Sequence, residues 1–418
     1  MTAMSALAPP GRPIADTWWR QVSSPAGLTA VVFGVLAVRV LAAMLLPIVR
    51  TPGWPDVVVL VVAVVAAVRS VLAARPSRAR AATVAAALVF WLAPCVVAPV
   101  HGQDVPVVAA AMAAVAAALI LGPPTSSAVV RMSVATGGLI VALSLLYGLA
   151  NAVGLGVGGF HTVGDYQRAV GGIPALRGIA LHPNTLGAIA ALTLVVSLTI
   201  ALANRRPGAF VIPALCSVAL IWSQSRTGLG SAVIAVAALL LARRRPGAVP
   251  YLVGASLLLS VLPVLATWQY GTLVDMSGLV TGRDLAWGPA LRLFQESPLI
   301  GFGPDALSRE FWQTQPGQWW EPLHAHNQVL QAMAQAGLLG LTGLVALALA
   351  AARVALSRVG WNGALAVSLL VFVGAQSGVE VPLGLTYFPI ALLMPATIVA
   401  AFAYAGSLSW SPRPRPSA

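Results

Sequence analysis

Lysine is absent from the sequence, and charge of either sign is scarce. Charged residues make up 8% of the 418, against roughly 25% in an ordinary soluble domain. A chain this poor in charge cannot cover a water-facing surface, so a soluble globular protein is excluded. Only two cysteines are present, Cys95 and Cys216, and both lie inside apolar runs. They read as small buried hydrophobes, neither a disulfide framework nor a metal site. No Asp-x-Asp pair or close carboxylate cluster occurs, which argues against a metal-held diphosphate. What remains is apolar: 59% of the residues are hydrophobic, and the mean hydropathy is +0.88. Lipid is the solvent for most of such a chain. The net charge of +13 comes from 24 arginines against 11 acids. It is dispersed over short loops and is no nucleic-acid footprint.

Apolar runs of spanning length fall near 27–48, 56–74, 81–99, 105–121, 128–150, 179–202, 209–223, 228–242, 249–267, 328–352, 361–379 and 384–405. They predict an all-α integral membrane protein of about 12 transmembrane helices, residues 1–418 forming a single membrane domain. The first run is long enough to span the bilayer and stay there. With the N-terminus inside, the inner segments hold Arg12, Arg20, Arg75, Arg78, Arg80, Arg131, Arg205, Arg206, Arg243, Arg244, Arg245, Arg353, Arg358, Arg413 and Arg415. Every inner loop is then positive, as orientation in the plasma membrane requires. Arg39 and Arg69 fall within runs, apart from any polar constellation.

The remaining polar residues gather on the other side. Ten of the eleven acids and all five histidines fall at or near the outer face. Two outer segments are long: 151–178, and 268–327. The second contains a helical stretch, RDLAWGPALRLFQES, with Leu285, Pro289, Leu293 and Phe294 on one side. A turn at SPLIGFGPD follows, then Trp312, Trp319 and Trp320, placed for an interfacial aromatic belt.

Four outer spots hold polar groups with no local structural need. Arg177 lies in ALRGIALHPNTLG, followed by His182 and Asn184; its bland alternative is an arginine snorkelling to head groups. Arg226 lies in WSQSRTGLG, a polar cluster that is costly at the mouth of two apolar runs unless it lines a cavity. Arg283 lies in TGRDLAW, where Asp284 offers a simple pairing. His326 lies in PLHAHNQVLQ, where the long loop re-enters the membrane beside His324 and Asn327; its bland alternative is a satisfied structural histidine. If a helix begins between the two histidines, His324 points elsewhere. Arginine suits phosphate because its planar fork gives paired charge-assisted bonds. Outward-facing arginines at membrane depth fit a lipid-linked diphosphate, and a neighbouring histidine fits a general base.

These motifs, in this order, resemble those of the O-antigen ligase and O-antigen polymerase superfamily. The resemblance rests on RGIALHPNTLG, SQSRTG, GRDLAWGPALRLFQESPLIGFGPD, and His326-Asn327 followed after nine residues by Gly337-Leu338-Leu339-Gly340. It covers about 170–340. It implies a metal-independent glycosyltransferase of the GT-C type with no cofactor. The donor would be a glycan on undecaprenyl diphosphate, and the acceptor a hydroxyl of a glycan or lipid-linked molecule in cell-surface polysaccharide assembly. Arg177, Arg226 and Arg283 would hold the diphosphate and His326 would be the base. His182, Asn184, His324 and Asn327 would support them, although the motif does not require His324. A peptidoglycan-type polymerase would share the donor but has no role for the His-Asn-x9-Gly-x-x-Gly string. A lipid-linked oligosaccharide flippase or transporter usually carries charged or broken helices at the midplane.

Overall fold

Within the described residues, the apolar runs fold as helices. The computed structural model describes residues 24–46, 53–73, 76–122, 127–155, 169–170, 173–180, 182–270, 283–308, 311, 313, 324–384 and 392–407. Helices α1 to α5 are Pro25–Leu45, Trp54–Ala73, Arg78–Val97, Val107–Leu121 and Ser127–Ala152. After them come α6 to α9, Pro183–Asn204, Val211–Trp222, Arg226–Arg244 and Val249–Tyr270. Then α10 is Trp287–Glu296, α11 Gln328–Ser357, α12 Gly360–Ser377 and α13 Leu393–Ser407. The strands among the described residues are two-residue pieces, Ala169–Val170 paired antiparallel with Ile173–Pro174.

Among the described residues, eight helices are long and apolar enough to cross a membrane, fewer than the twelve runs. Three more apolar helices are shorter, at Val107–Leu121, Pro207–Trp222 and Leu393–Gly406. The last run reads 384–405 in sequence, but its helix begins only at Leu393, and residues 385–391 lie outside the described ones. Most of the 151–178 segment and all three of Trp312, Trp319 and Trp320 also lie outside them.

The helices pack as lipid-dwelling helices do, through small residues and interhelical hydrogen bonds. α12 lies on α8, α11 on α3 and α2 on α4. Gly343 of α11 admits the backbone of Phe90 on α3, and Gly374 of α12 admits Ser256 of α9. Ser368 of α12 donates to the Ala235 carbonyl of α8 at 2.7 Å, and the Gln376 amide donates to Ser231 Oγ at 2.8 Å. This antiparallel α8–α12 contact sets the first turn of α8 beside the last turn of α12.

Polar contacts separate into the two ends that the arginine pattern distinguishes. At one end Arg243 lies over the Trp361 ring, 5.2 Å from its centroid, and Arg358 donates to the Gly406 carbonyl. These residues belong to the positive loops. The segments assigned to the opposite side meet one another: His101 with Gly301, Leu176 with Trp222, Thr227 with Arg283. Arg39 is not isolated. It grips Asp56, in the first turn of α2, through two bonds of 3.0 Å, both groups fully buried. The pairing removes the cost of a bare charge within a span.

The long loop has a small core of its own. Trp287, Ala290, Leu291 and Leu293 of α10 pack with Leu307, Leu330 and Met333. The buried face of α10 differs from the expected one, because Leu285 precedes the α-helix in a 3₁₀ turn and is 38% exposed. The SPLIGFGPD turn pairs its backbone with a break in α11 at Gly337, where φ is +55° and ψ −142°. Leu338 N–H donates to the Pro298 carbonyl, and Phe302 and Gly303 N–H donate to the Ala334 and Gln335 carbonyls. Loop backbone thus satisfies the groups the broken helix frees, the condition for irregular backbone at membrane depth. A Cβ on Gly337 or Gly301 would run into the facing backbone. From the other side, Gln103 donates to the Phe302 carbonyl and accepts from Asp305 N–H, while His101 donates to the Gly301 carbonyl and stacks on Phe302.

Candidate active site

The first turns of α6 and α8 form one wall. Gly187 and Gly228 press together so closely that a Cβ on either would strike the other segment. Ser225 caps α8 by accepting from Gly228 N–H. Arg226 is the first residue of that helix and is exposed. His182 caps α6, its Nδ1 accepting from Asn184 N–H at 3.1 Å. The strand of chain before α6 is tied to the same wall, since Leu176 N–H donates to the Trp222 carbonyl at 3.0 Å and Trp222 Nε1 donates to Pro174. Half-buried Arg177 follows Leu176 directly, so its segment lies against the turn that carries Arg226.

The second wall is the His motif. Asn327 is the N-cap of α11, its side chain accepting from Val329 and Leu330 N–H and donating to the Gly378 carbonyl. Gln328 accepts from Leu383 N–H and Gln331 from Ala325 N–H. These bonds fasten the end of the long loop to the segment after α12. His326 is forced into the left-handed region, φ +48°. Such a conformation is uncommon for a side-chain-bearing residue and clusters at functional sites.

Glu380, in the segment after α12, joins the walls. His326 Nδ1 lies 3.3 Å from Glu380 Oε2. Arg283 Nη2 lies 2.8 Å from Glu380 Oε1. Arg283 Nη1 donates to Thr227 Oγ1 at 2.6 Å and to the Val379 carbonyl at 2.9 Å. Thr227 is the neighbour of Arg226, so the SQSRTG turn, the start of the α10 segment and the His motif meet at one carboxylate. Arg283 pairs with this distant acid, not with Asp284 as its neighbour in sequence suggests. His324 does not point elsewhere. The helix begins after both histidines, and their rings stand 3.9 Å apart, with His326 N–H donating to His324 Nδ1.

The charges are consistent with this arrangement. Burial alone would raise the Glu380 carboxyl, but the His326 hydrogen bond and the Arg283 guanidinium outweigh it and bring it down to about 2. Burial lowers His324 to about 3, helped by the charge of His326 and, more weakly, of Arg283 and His182, against an opposing pull from Glu380. An ionised Glu380 can only accept from Nδ1–H, so the lone pair of the neutral ring falls on Nε2, the arrangement a general base needs.

Residues 209–345 match the family model described as O-Antigen ligase. The match includes Arg226, Arg283, His326 and the glycines of the α11 break, so the resemblance read from the motifs is borne out. Arg177 and His182 precede the matched stretch, and Glu380 follows it. No curated protein matches the chain.

Sequence reasoning missed Glu380. Its one signal is scarcity, because it is the only acid after Glu321. A lone acid between two apolar runs reads equally well as a solvated loop residue, and only tertiary contact reveals its role.

Proposed function

We propose that this O-antigen ligase-like membrane protein transfers a glycan from undecaprenyl diphosphate to an acceptor hydroxyl in cell-surface polysaccharide assembly. The observation that carries the reading is the His326–Glu380–Arg283–Thr227 chain, which couples a tautomer-fixed histidine to the SQSRTG turn of a matched ligase domain. The active end faces outward from the plasma membrane, in a GT-C type arrangement of about twelve spans.

In this reading the acceptor oxygen attacks the anomeric carbon and the bond to the lipid diphosphate breaks. The hydroxyl proton passes to His326 Nε2, and the imidazolium so formed is stabilised by Glu380. Arg177 and Arg226 hold the diphosphate, whose departure needs charge stabilisation more than protonation. The exposed Arg226 stands at the start of α8, where the helix dipole also favours an anion. Arg283 has a different part, because its guanidinium is already bonded to Glu380, Thr227 and Val379. It holds the carboxylate that holds the base. No step requires a metal.

The test is transfer or extension of a lipid-linked glycan by purified protein in proteoliposomes with EDTA present. Wild type should turn over, and His326→Ala should lose about 10²–10⁴-fold while still inserted and binding donor. Retained turnover in His326→Ala, or loss of wild-type turnover with EDTA, would refute the metal-free base. Glycan crossing the bilayer without a new glycosidic bond would instead identify a flippase.

A further inference from the structure

We propose that His324, His326 and Glu380 form a binding site for a divalent transition metal, zinc above all, and that the bound ion switches off the base. The second half rests on the proposed function; the binding itself does not.

One donor atom from each of the three side chains lies within 4.8 Å of the other two. Zinc holds nitrogen and oxygen ligands at about 2.0–2.2 Å, so two ligands of one tetrahedral ion stand about 3.3–3.5 Å apart. His326 Nδ1 and Glu380 Oε2 already stand at 3.3 Å. The third ligand, on His324, needs only side-chain adjustment, for its ring centroid lies 3.9 Å from that of His326, the two planes tilted by 51°. Two imidazoles and one carboxylate form a set suited to zinc, leaving a fourth position open. Magnesium and calcium demand oxygen ligands and are disfavoured. The outer contacts also suit an ion. Arg283 grips the other carboxylate oxygen, Oε1, at 2.8 Å, which orients Glu380 as a ligand's partner should. The same guanidinium repels a cation, so binding is weaker than in a closed structural zinc site and the ion is removable.

The consequence for the base follows from proton bookkeeping. In the resting tautomer the His326 proton is on Nδ1, donated to Glu380, and the lone pair is on Nε2. A metal bound at Nδ1 displaces that proton, which the neutral ring then carries on Nε2. The nitrogen that would accept the acceptor-hydroxyl proton is now itself protonated. The ion competes with the Nδ1–H···Glu380 bond rather than with the diphosphate.

The probe is cobalt(II), titrated into purified full-length protein in lipid nanodiscs and followed by its visible d–d absorption. Wild type should develop the intense bands of a four-coordinate site. His324→Gln and Glu380→Gln, each checked for monodispersity and helical content, should weaken binding at least about tenfold. Absence of those bands in wild type, or undiminished binding in His324→Gln, would overturn the site. In parallel, added zinc should inhibit wild-type glycan transfer and EDTA should restore it. Bands without inhibition would overturn the switch while leaving the site. A protein that binds cobalt but never transfers glycan would refute the proposed function and leave the metal site intact.

Discussion

Glu380→Gln is the most informative single change, because Arg283 dictates which way the new amide points. The substitution is nearly isosteric and keeps two polar atoms where Oε1 and Oε2 stood. Arg283 Nη2, 2.8 Å from Oε1, is a charged donor and demands the amide oxygen on its side. The amide NH₂ is then left facing His326 Nδ1, 3.3 Å away. A donor there requires an acceptor, so Nδ1 must give up its proton and Nε2 must take one. The variant stabilises the wrong tautomer and also removes the charge that would steady the imidazolium. The expected loss is therefore the whole contribution of the base, about 10²–10⁴-fold in transfer rate.

The measurement is single-turnover transfer by purified enzyme, with donor binding followed separately. Folding should survive, since Gln preserves the hydrogen bond to Arg283 and the site is part-exposed. The double variant Glu380→Gln/His326→Ala should be about as slow as His326→Ala alone, because groups that act as a unit are not additive. Turnover of Glu380→Gln within about threefold of wild type would refute the tautomer argument, since the base contribution at stake is about 10²-fold or more. So would a double variant slower by the product of the two single losses.

Other outcomes follow from separate parts of the structure. Arg226→Lys keeps the charge at the start of α8 but loses the planar fork; transfer should fall by about tenfold or more if the residue grips a diphosphate at two points, and near-wild-type rates would make it an interfacial anchor. Gly337→Ala should lower stability by at least about 2 kcal/mol, because it combines a conformation reserved to glycine with a clash against the loop backbone; thermal unfolding in detergent reads this, and an unchanged midpoint would show that the break is not required. Alkaline phosphatase fused after Gly317 should be active and fused after Arg245 inactive; activity at Arg245 would overturn the outward orientation of the site.

The helices were legible because their cause is local. A run of apolar residues of spanning length satisfies most of its backbone within itself, and the described parts of the runs are helical. Sidedness is read from charge placement in the loops, which needs no tertiary knowledge, and the phosphatase fusions test it. The break in α11 was half legible. Gly337 and Gly340 stood out as a motif, and SPLIGFGPD stood out as a turn. That one fills the gap in the other depends on backbone pairing between segments some forty residues apart, which no local pattern encodes.

The site divides along the same line. His326 and Asn327 were found because a capped helix start after an outer loop has a sequence signature, and Asn327 performs that capping. Arg283 was found for its charge but given the wrong neighbour, because sequence proximity favours Asp284 while the fold brings Glu380 to 2.8 Å. Glu380 itself had no signature. The chain has so few acids that each one held at a helix mouth needs a partner, and this one has two. Its carboxylate is the point where α8, the loop before α10, α11 and the end of α12 are joined, so the residue that carried no motif is the one that makes separate motifs into a single site.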